Sequence, residues 1–260
     1  MVELNQIYCI DCLEGMKDIP DGSVDAVICD LPYEVLNRGN ANAQWDRVIP
    51  MEPLWNQYHR VVKRNGAIVL FGQGMFTARV MMSNPDEWRY NLIWDKQRTT
   101  GFLNANRMPL RCHEDIAVFY REQPTYNPQF VDGEPSHARG SGVHKNGNQC
   151  YGEHSNAEVS DKYDRKKHPR SIISIQKEHS SDVWHPTQKP VELIRWLIRT
   201  YTNEGEIVLD NCMGSGTTAI ACIIENRRYI GFETNIDYFS KANDRIAKFL
   251  EKPRQLELFT

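Results

Sequence analysis

The sequence lacks any apolar run approaching the roughly 20 residues that a membrane-spanning helix needs. Its opening, Met1-Val2-Glu3-Leu4-Asn5, has neither a basic start nor a hydrophobic signal segment. A cytoplasmic location with no membrane association is therefore expected. A disulfide framework is missing too: the seven cysteines are an odd number scattered along 260 residues, and Cys29, Cys212 and Cys222 stand inside apolar patterns as small core residues do. Cys9 and Cys12 form a C-x-x-C, but no second pair follows at zinc-finger spacing, so no metal is assigned. There is no strong excess of either charge. The formal net charge of −3 does not mark the whole chain as a nucleic-acid binder, which leaves the distribution of basic residues to carry that question. What is present, 40% hydrophobic and 25% charged residues, is the composition of an ordinary globular chain, long enough for one large domain with an insertion.

Periodicity predicts an alternation of strands and helices. Ile7 to Ile10 reads as a strand ending near Asp11, followed by Leu13, Met16 and Ile19 at helical spacing. Val24 to Cys29 reads as a buried strand that delivers Asp30-Leu31-Pro32-Tyr33 at its carboxyl end, where open α/β sheets place their ligands. Pro32 cannot donate a backbone hydrogen bond and biases Leu31 away from the helical region, so the turn is stiff and rich in acceptors. With the flat ring of Tyr33 beside them, these groups suit a planar, amine-bearing substrate such as a nucleobase. Taken alone, the same four residues also read as an ordinary Asp-x-Pro turn. Residues 34–50 are polar and irregular. A helix over Pro53 to Val62, closed by Lys63-Arg64-Asn65-Gly66, then leads into a strand over Ala67 to Phe71. A helix through Phe76 and Val80 and strands at Asn91 to Trp94 and Ile116 to Tyr120 follow. Between Glu122 and Ser181 no period of either kind holds, over a length unusual for a loop. That segment is locally basic and reads either as a solvated loop or as a nucleic-acid-contacting insertion.

Order resumes at His185-Pro186-Thr187-Gln188-Lys189-Pro190 and the amphipathic helix begun by Pro190. Glu206 to Leu209, the turn at 210–216, Thr217 to Glu225 and Tyr229 to Phe232 then make one βαβ unit. Its Gly214-Ser215-Gly216-Thr217-Thr218-Ala219 satisfies G-x-G-x-x-G/A, and Glu233 lies about 20 residues on, where a ribose-binding acid belongs. This pattern implies an adenosine cofactor without separating a nicotinamide dinucleotide from S-adenosylmethionine. Hydride transfer has no evident use for an Asp-x-Pro-Tyr acceptor cluster, whereas methylation of an exocyclic amine does.

With these motifs in this order, the chain resembles the β-class amino-group (adenine-N6 / cytosine-N4) DNA methyltransferases. Asp30 to Tyr33 matches their D-P-P-Y motif, His185 to Pro190 their H-P-T-Q-K-P motif, and Asp210 to Thr218 their cofactor loop. The resemblance implies an α/β methyltransferase fold, a mostly parallel seven-stranded sheet with helices on both faces. Residues 1–121 would form the catalytic half, 122–181 an inserted target-recognition region and 182–260 the cofactor half. It implies S-adenosyl-L-methionine as cofactor, double-stranded DNA as partner, a monomer or homodimer, and a flipped-out target base. By motif, Asp30 and the Leu31 or Pro32 carbonyl would hold the target amine and Tyr33 would stack on the base. Asp11, Cys12, Asp30, Thr187, Lys189, Asp210, Asn211, Cys212, Gly214, Ser215, Gly216, Thr217, Thr218 and Glu233 would surround the cofactor, with Glu233 on its ribose and Thr187 and Lys189 near its carboxylate. Arg98, Arg107, Arg139, Lys145, Lys166 and Lys167 are the basic residues expected on DNA. Two positions depart from the family pattern, Leu31 where the first proline is usual and Cys212 where a phenylalanine is usual. Asp rather than Ser at position 30 leans toward adenine-N6. Cytosine-N4 transfer, a catalytically weak DNA-binding module and a nicotinamide-linked oxidoreductase are the alternatives.

Overall fold

A computed structural model describes residues 2–34, 46–133, 166–178, 184–185 and 187–251. The chain divides into two compact units, one of Met1–Asn127 with Ser171–Thr260 and one of Pro128–Arg170. The order of elements is β1 (Gln6–Tyr8), α1 (Cys12–Met16), β2 (Val24–Cys29), α2 (Met51–Val61), β3 (Val62–Gly72), α3 (Met75–Ser83), β4 (Trp88–Thr100) and β5 (Arg111–Phe119). It continues with β6 (Val131–Asp132), β7 (Lys166–Lys167), β8 (Ile172–Ser174), α4 (Val191–Tyr201), β9 (Ile207–Asp210), α5 (Thr217–Ile224), β10 (Arg228–Phe232) and α6 (Ile236–Glu251). Among the described residues no helix is long and apolar enough to cross a membrane.

The larger unit is built on an eight-stranded sheet in the order β1-β10-β9-β2-β3-β5-β4-β8. β5 runs antiparallel to both its neighbours, and every other pairing is parallel. The expected methyltransferase sheet is therefore present with one strand more than seven, β8 having added itself beside β4. Three residues are too short to show a period, which is why 172–174 is unreadable from sequence. β2 is buried at all six positions, as a strand covered by helices on both faces must be. Its one acid, Asp25, is satisfied by Lys63 Nζ at 2.5 Å and by the Ile207 amide at 2.9 Å.

Alternation along β3 separates two cores. Ala67, Val69 and Phe71 point to the side carrying Leu193, Leu197 and Ile198 of α4 and Ala219, Ile220 and Cys222 of α5. Ile68 and Leu70 point to the other, with Met16 of α1, Leu54, Trp55 and Tyr58 of α2 and Phe76 of α3. Each fully buried leucine contributes about 1.5–3 kcal/mol relative to exposure, so these two layers fix the strand register from both sides. The predicted turn at Lys63 to Gly66 is instead part of β3. Pairing there steps from Val24–Val62 to Ala26–Ala67, so the surplus residues of β3 bulge out while the strand continues.

The smaller unit contains β6 and β7, paired antiparallel with Val131 opposite Lys167, and Phe130 packs on the His168 ring at 4.9 Å.

Candidate active site

Because β1, β2, β9 and β10 all run parallel, their carboxyl ends bring Asp11, Asp30, Asp210 and Glu233 to one edge of the sheet. A cavity of about 660 Å³ opens there, lined by all four acids. Asp11, Cys12, Asp30 to Tyr33, Thr187, Lys189, Asp210 to Cys212, Gly214, Ser215, Thr217, Thr218 and Glu233 all face it. Gly216 stands behind the wall, where an added Cβ would meet Ala242 of α6 at 3.3 Å.

At one end the glycine loop is held from several directions. Gly214 and Gly216 have φ of 51° and 75°, values that a side chain makes costly. Asp210 accepts from the Thr218 hydroxyl at 2.6 Å and the Cys212 amide at 3.1 Å, and Glu233 accepts from the Gly214 amide at 2.9 Å. Both acids expected on the cofactor thus also tie the loop together. Burial lifts Asp210 to about 6 against the bonds it accepts, and it lifts Glu233 as well. Arg245 of α6 clamps the loop by donating to the Ser215 carbonyl at 3.0 Å and the Thr217 hydroxyl at 2.9 Å. The His185 ring would lie 3.4 Å from a Cβ added at Gly214, and it meets Tyr238 edge-on at 4.3 Å. Burial and then the nearby Lys189 charge lower His185 to about 4, so it is neutral at neutral pH. Tyr58 donates to Asn211 at 2.6 Å. Cys212, standing where a phenylalanine is usual, meets two other sulfurs. The Cys212 sulfur and burial raise the Cys12 thiol far above its usual range, and burial raises Cys29 to about 12. These thiols are protonated and offer no nucleophile.

At the other end a buried ion cluster surrounds Asp30. Lys189 Nζ donates to Asp30 Oδ2 at 2.6 Å and lies 3.2 Å from Glu114 Oε2, while Lys96 donates to Glu114 Oε1 at 3.3 Å. The second oxygen of Asp30 accepts from the Tyr33 hydroxyl at 2.5 Å. Burial acts against the charge of Lys189, but Asp30 and Glu114 outweigh it and raise the ammonium's pKa. For Glu114 burial is likewise outweighed, and the two lysines hold it below the usual carboxylate range. Burial lifts Asp30 while Lys189 pulls it back. Lys189 and Lys96 are thus paired with Asp30 and Glu114, and Lys177, its own pKa lowered by burial, lines the same cavity. The Phe71 ring lies 5.0 Å from Lys189 Nζ. Tyr33 packs on Phe76 with centroids 4.6 Å apart, and its amide donates to Asp46 at 2.8 Å. Leu31, the departure from the usual proline, is buried and belongs to the core cluster that also holds Cys12 and Phe76.

Lys189, expected near the cofactor's carboxylate, thus has its ammonium on Asp30 and Glu114. The residues that sequence reasoning missed are Glu114, Lys96 and Arg245. Glu114 is the fourth residue of β5, and because that strand is reversed its amino-terminal half falls at the carboxyl edge of its neighbours, where strand-end acids gather. Arg98 and Arg107 lie outside the cavity on an exposed hairpin, Lys166 and Lys167 are in β7, and Arg139 and Lys145 lie outside the described residues.

A parallel sheet with one reversed strand, with a glycine loop and the Asp30–Tyr33 turn on a shared cavity, is the arrangement of the S-adenosylmethionine-dependent methyltransferase fold. The comparisons narrow this: the chain belongs to the N6/N4 DNA methylase family, whose model matches residues 24–244. It is 25% identical to the Type II methyltransferase M.HinfI of Haemophilus influenzae over 99% of this chain and 72% of that protein. It is also 25% identical to the Type II methyltransferase M1.MboII of Moraxella bovis over 94% and 96%. Among solved structures, an M1.HpyAVI–SAM complex superposes with a TM-score of 0.62 at 25% identity, covering 93% of this chain and 98% of that one. The cytosine-N4-specific PvuII DNA methyltransferase superposes at 0.65 with 15% identity over 96% and 92%, a likeness of fold. The chain is a DNA methyltransferase with S-adenosylmethionine as its cofactor.

Proposed function

We propose that this enzyme methylates the N6 amine of an adenine flipped out of duplex DNA. The observation that carries this reading is the Asp30 carboxylate, fixed from both sides at the wall of the cavity that the glycine loop also lines. An ionised carboxylate has about four acceptor positions. Tyr33 and Lys189 take one on each oxygen, which leaves acceptors for an amine N–H. The adenine amine is a weak nucleophile because its lone pair is delocalised, so accepting its hydrogens as the nitrogen becomes tetrahedral is the main service the site can give. The Leu31 or Pro32 carbonyl is the second acceptor. Tyr33, backed by Phe76, offers its ring to the base.

The cavity falls within the volume usual for cofactor sites, and its far end suits an adenosyl group. Glu233 and Asp11 supply acceptors for ribose and adenine, and the positive-φ glycine loop lets a ligand approach the backbone. Asn211, Thr187 and Ser215 supply polar groups for the amino-acid part. S-adenosylmethionine, when bound, supplies an electrophilic methyl group. Lys189 is assigned to Asp30, holding it ionised and oriented.

Residues 122–181, whose compact part is Pro128–Arg170, are proposed to select the target sequence, with Lys166, Lys167, Arg139 and Lys145 on phosphates together with Arg98 and Arg107. The test is nucleoside mass spectrometry of DNA incubated with the enzyme and cofactor. N6-methyladenine is expected, and it should vanish in Asp30→Ala while DNA binding persists. N4-methylcytosine would refute the assignment.

A further inference from the structure

We propose that the hairpin joining β4 to β5 carries an apolar wedge that enters the DNA stack and occupies the space left by the target base, an inference that rests on the base-flipping reading above. Every residue from Gly101 to Leu110 is exposed, and Phe102, Leu103 and Met108 expose 75%, 84% and 57% of their surface. Three large apolar side chains grouped at one tip are not the scattered exposure of an ordinary surface. The tip is also shaped to present them. Gly101 takes φ of 86° and starts a 3-10 turn over Phe102–Asn104, and amides of Asn104, Ala105, Arg107 and Met108 close on carbonyls within the turn at 2.8–3.0 Å. Phe102 and Leu103 are therefore adjacent at the apex of a turn that satisfies its own backbone.

The charge around them selects the partner. From Gln97 to Cys112 there are three arginines, Arg98, Arg107 and Arg111, and no acid, and among the described residues none of the three forms an ion pair. Apolar side chains flanked by arginines are what a duplex accepts when a base step is opened, the side chains taking the stacking position and the guanidinium groups the phosphates. The same two strands, traced back, bring Trp94 and Glu114 to the cavity wall. Phe102 lies eight residues past Trp94, so even a fully extended chain would place it within about 26 Å of that wall, and the irregularity of β4 after Asp95 shortens this. Chemistry and wedge are thus carried on one β-ribbon.

The test uses a duplex bearing the site found by sequencing DNA the enzyme has modified, with 2-aminopurine as the target base for fluorescence and adenine there for turnover. For Phe102→Ala/Leu103→Ala, unchanged S-adenosylmethionine binding shows an intact fold. We expect kcat/KM to fall by about tenfold or more and most of the fluorescence rise to disappear, because unstacking is then uncompensated. An abasic position opposite the target, which removes much of the cost of extrusion, should restore kcat/KM to within about threefold of wild type on the same duplex. Unchanged fluorescence and turnover, equal losses on both duplexes, or a change in oligomeric mass with flipping intact would each overturn the wedge. A wild-type enzyme that methylates but gives no fluorescence rise would overturn the flipping reading and the wedge with it.

Discussion

Replacing Lys189 by methionine keeps the length of the side chain and removes the charge between two carboxylates. In the native cluster the ammonium lies 2.6 Å from Asp30 and 3.2 Å from Glu114, and the three side chains are only 9%, 18% and 16% exposed. Removing one partner of a buried pair costs about 3–5 kcal/mol, because the other charge is left without compensation. Here Asp30 loses its cation while Glu114 keeps Lys96, so the lower half of that range is expected at pH 8. One acid can escape by taking up a proton, and the folded variant then binds a proton that the unfolded chain releases. Stability of Lys189→Met therefore rises as pH falls from 8 toward about 5.5, by at most ~1.4 kcal/mol per unit once below the shifted pKa. The wild-type cluster behaves oppositely at its Glu114, whose lowered pKa gives stability that is present above the ordinary value of 4.5 and lost only below it. Urea unfolding of both proteins at pH 8 and pH 5.5 should show a gap that narrows with acid, and methyl transfer by the variant should be lost at both. A gap under about 1 kcal/mol at pH 8, or one that does not change with pH, would refute the picture of a charge-paired buried cluster.

His185 titrates at about 4 in the fold against 6.5 when free, so its contribution falls as pH drops through that window, by about 1.5 kcal/mol between pH 6.5 and 5. Asp210, raised from 3.8 to about 6, acts in the opposite direction and masks the effect in the whole protein. The stability difference between wild type and His185→Asn isolates it and should shrink with acid, whereas parallel curves would be inconsistent with a buried neutral ring. Glu233→Ala removes a charged acceptor worth about 1.5–3 kcal/mol, so calorimetry should show S-adenosylmethionine binding weakened by about 10- to 100-fold with DNA affinity retained. Unchanged cofactor affinity would remove Glu233 from the ribose. Lys166→Ala with Lys167→Ala should reduce the slope of log affinity against log salt by about 2, weakening all sequences alike. An unaltered slope would take β7 off the phosphates.

Asp30, Asp210 and Glu233 were legible because each follows a strand whose apolar run is complete in sequence, and parallel order then sends all three to one edge. Glu114 was not, since the same rule points an acid at the start of a strand away from the site unless that strand is reversed, and the reversal of β5 is a property of pairing. Lys189 was found by its motif, but its contacts with Asp30 and Glu114 were not legible, because a lysine's reach says nothing about which of several acids it will meet. The last helix carries a helical period in Ile236, Phe239, Ile246 and Phe249, but that period does not mark Arg245. α6 buries only Ala242 and Ile246, yet Arg245 on it holds the glycine loop. Cys212 stands where the resemblance expects a phenylalanine. Among its neighbours it is also a sulfur packed against Cys12 and Cys29, a matter of three segments far apart in the chain.

The chain leaves the main unit at Asn127, whose amide group donates to the carbonyls of Arg199 and Thr202 at 3.1 and 3.2 Å. It returns at Ser171, whose carbonyl accepts from Ile93 at 2.8 Å. Both fastenings close within the main unit. Between them, among the described residues, the chain supplies no strand of the large sheet and no part of the cavity wall. A different segment could be spliced between these two ports and the reacting groups would keep their places. If that segment reads the DNA, as proposed, then what the enzyme recognises and what it does to it are inherited separately, and new specificities can be tried without putting the chemistry at risk.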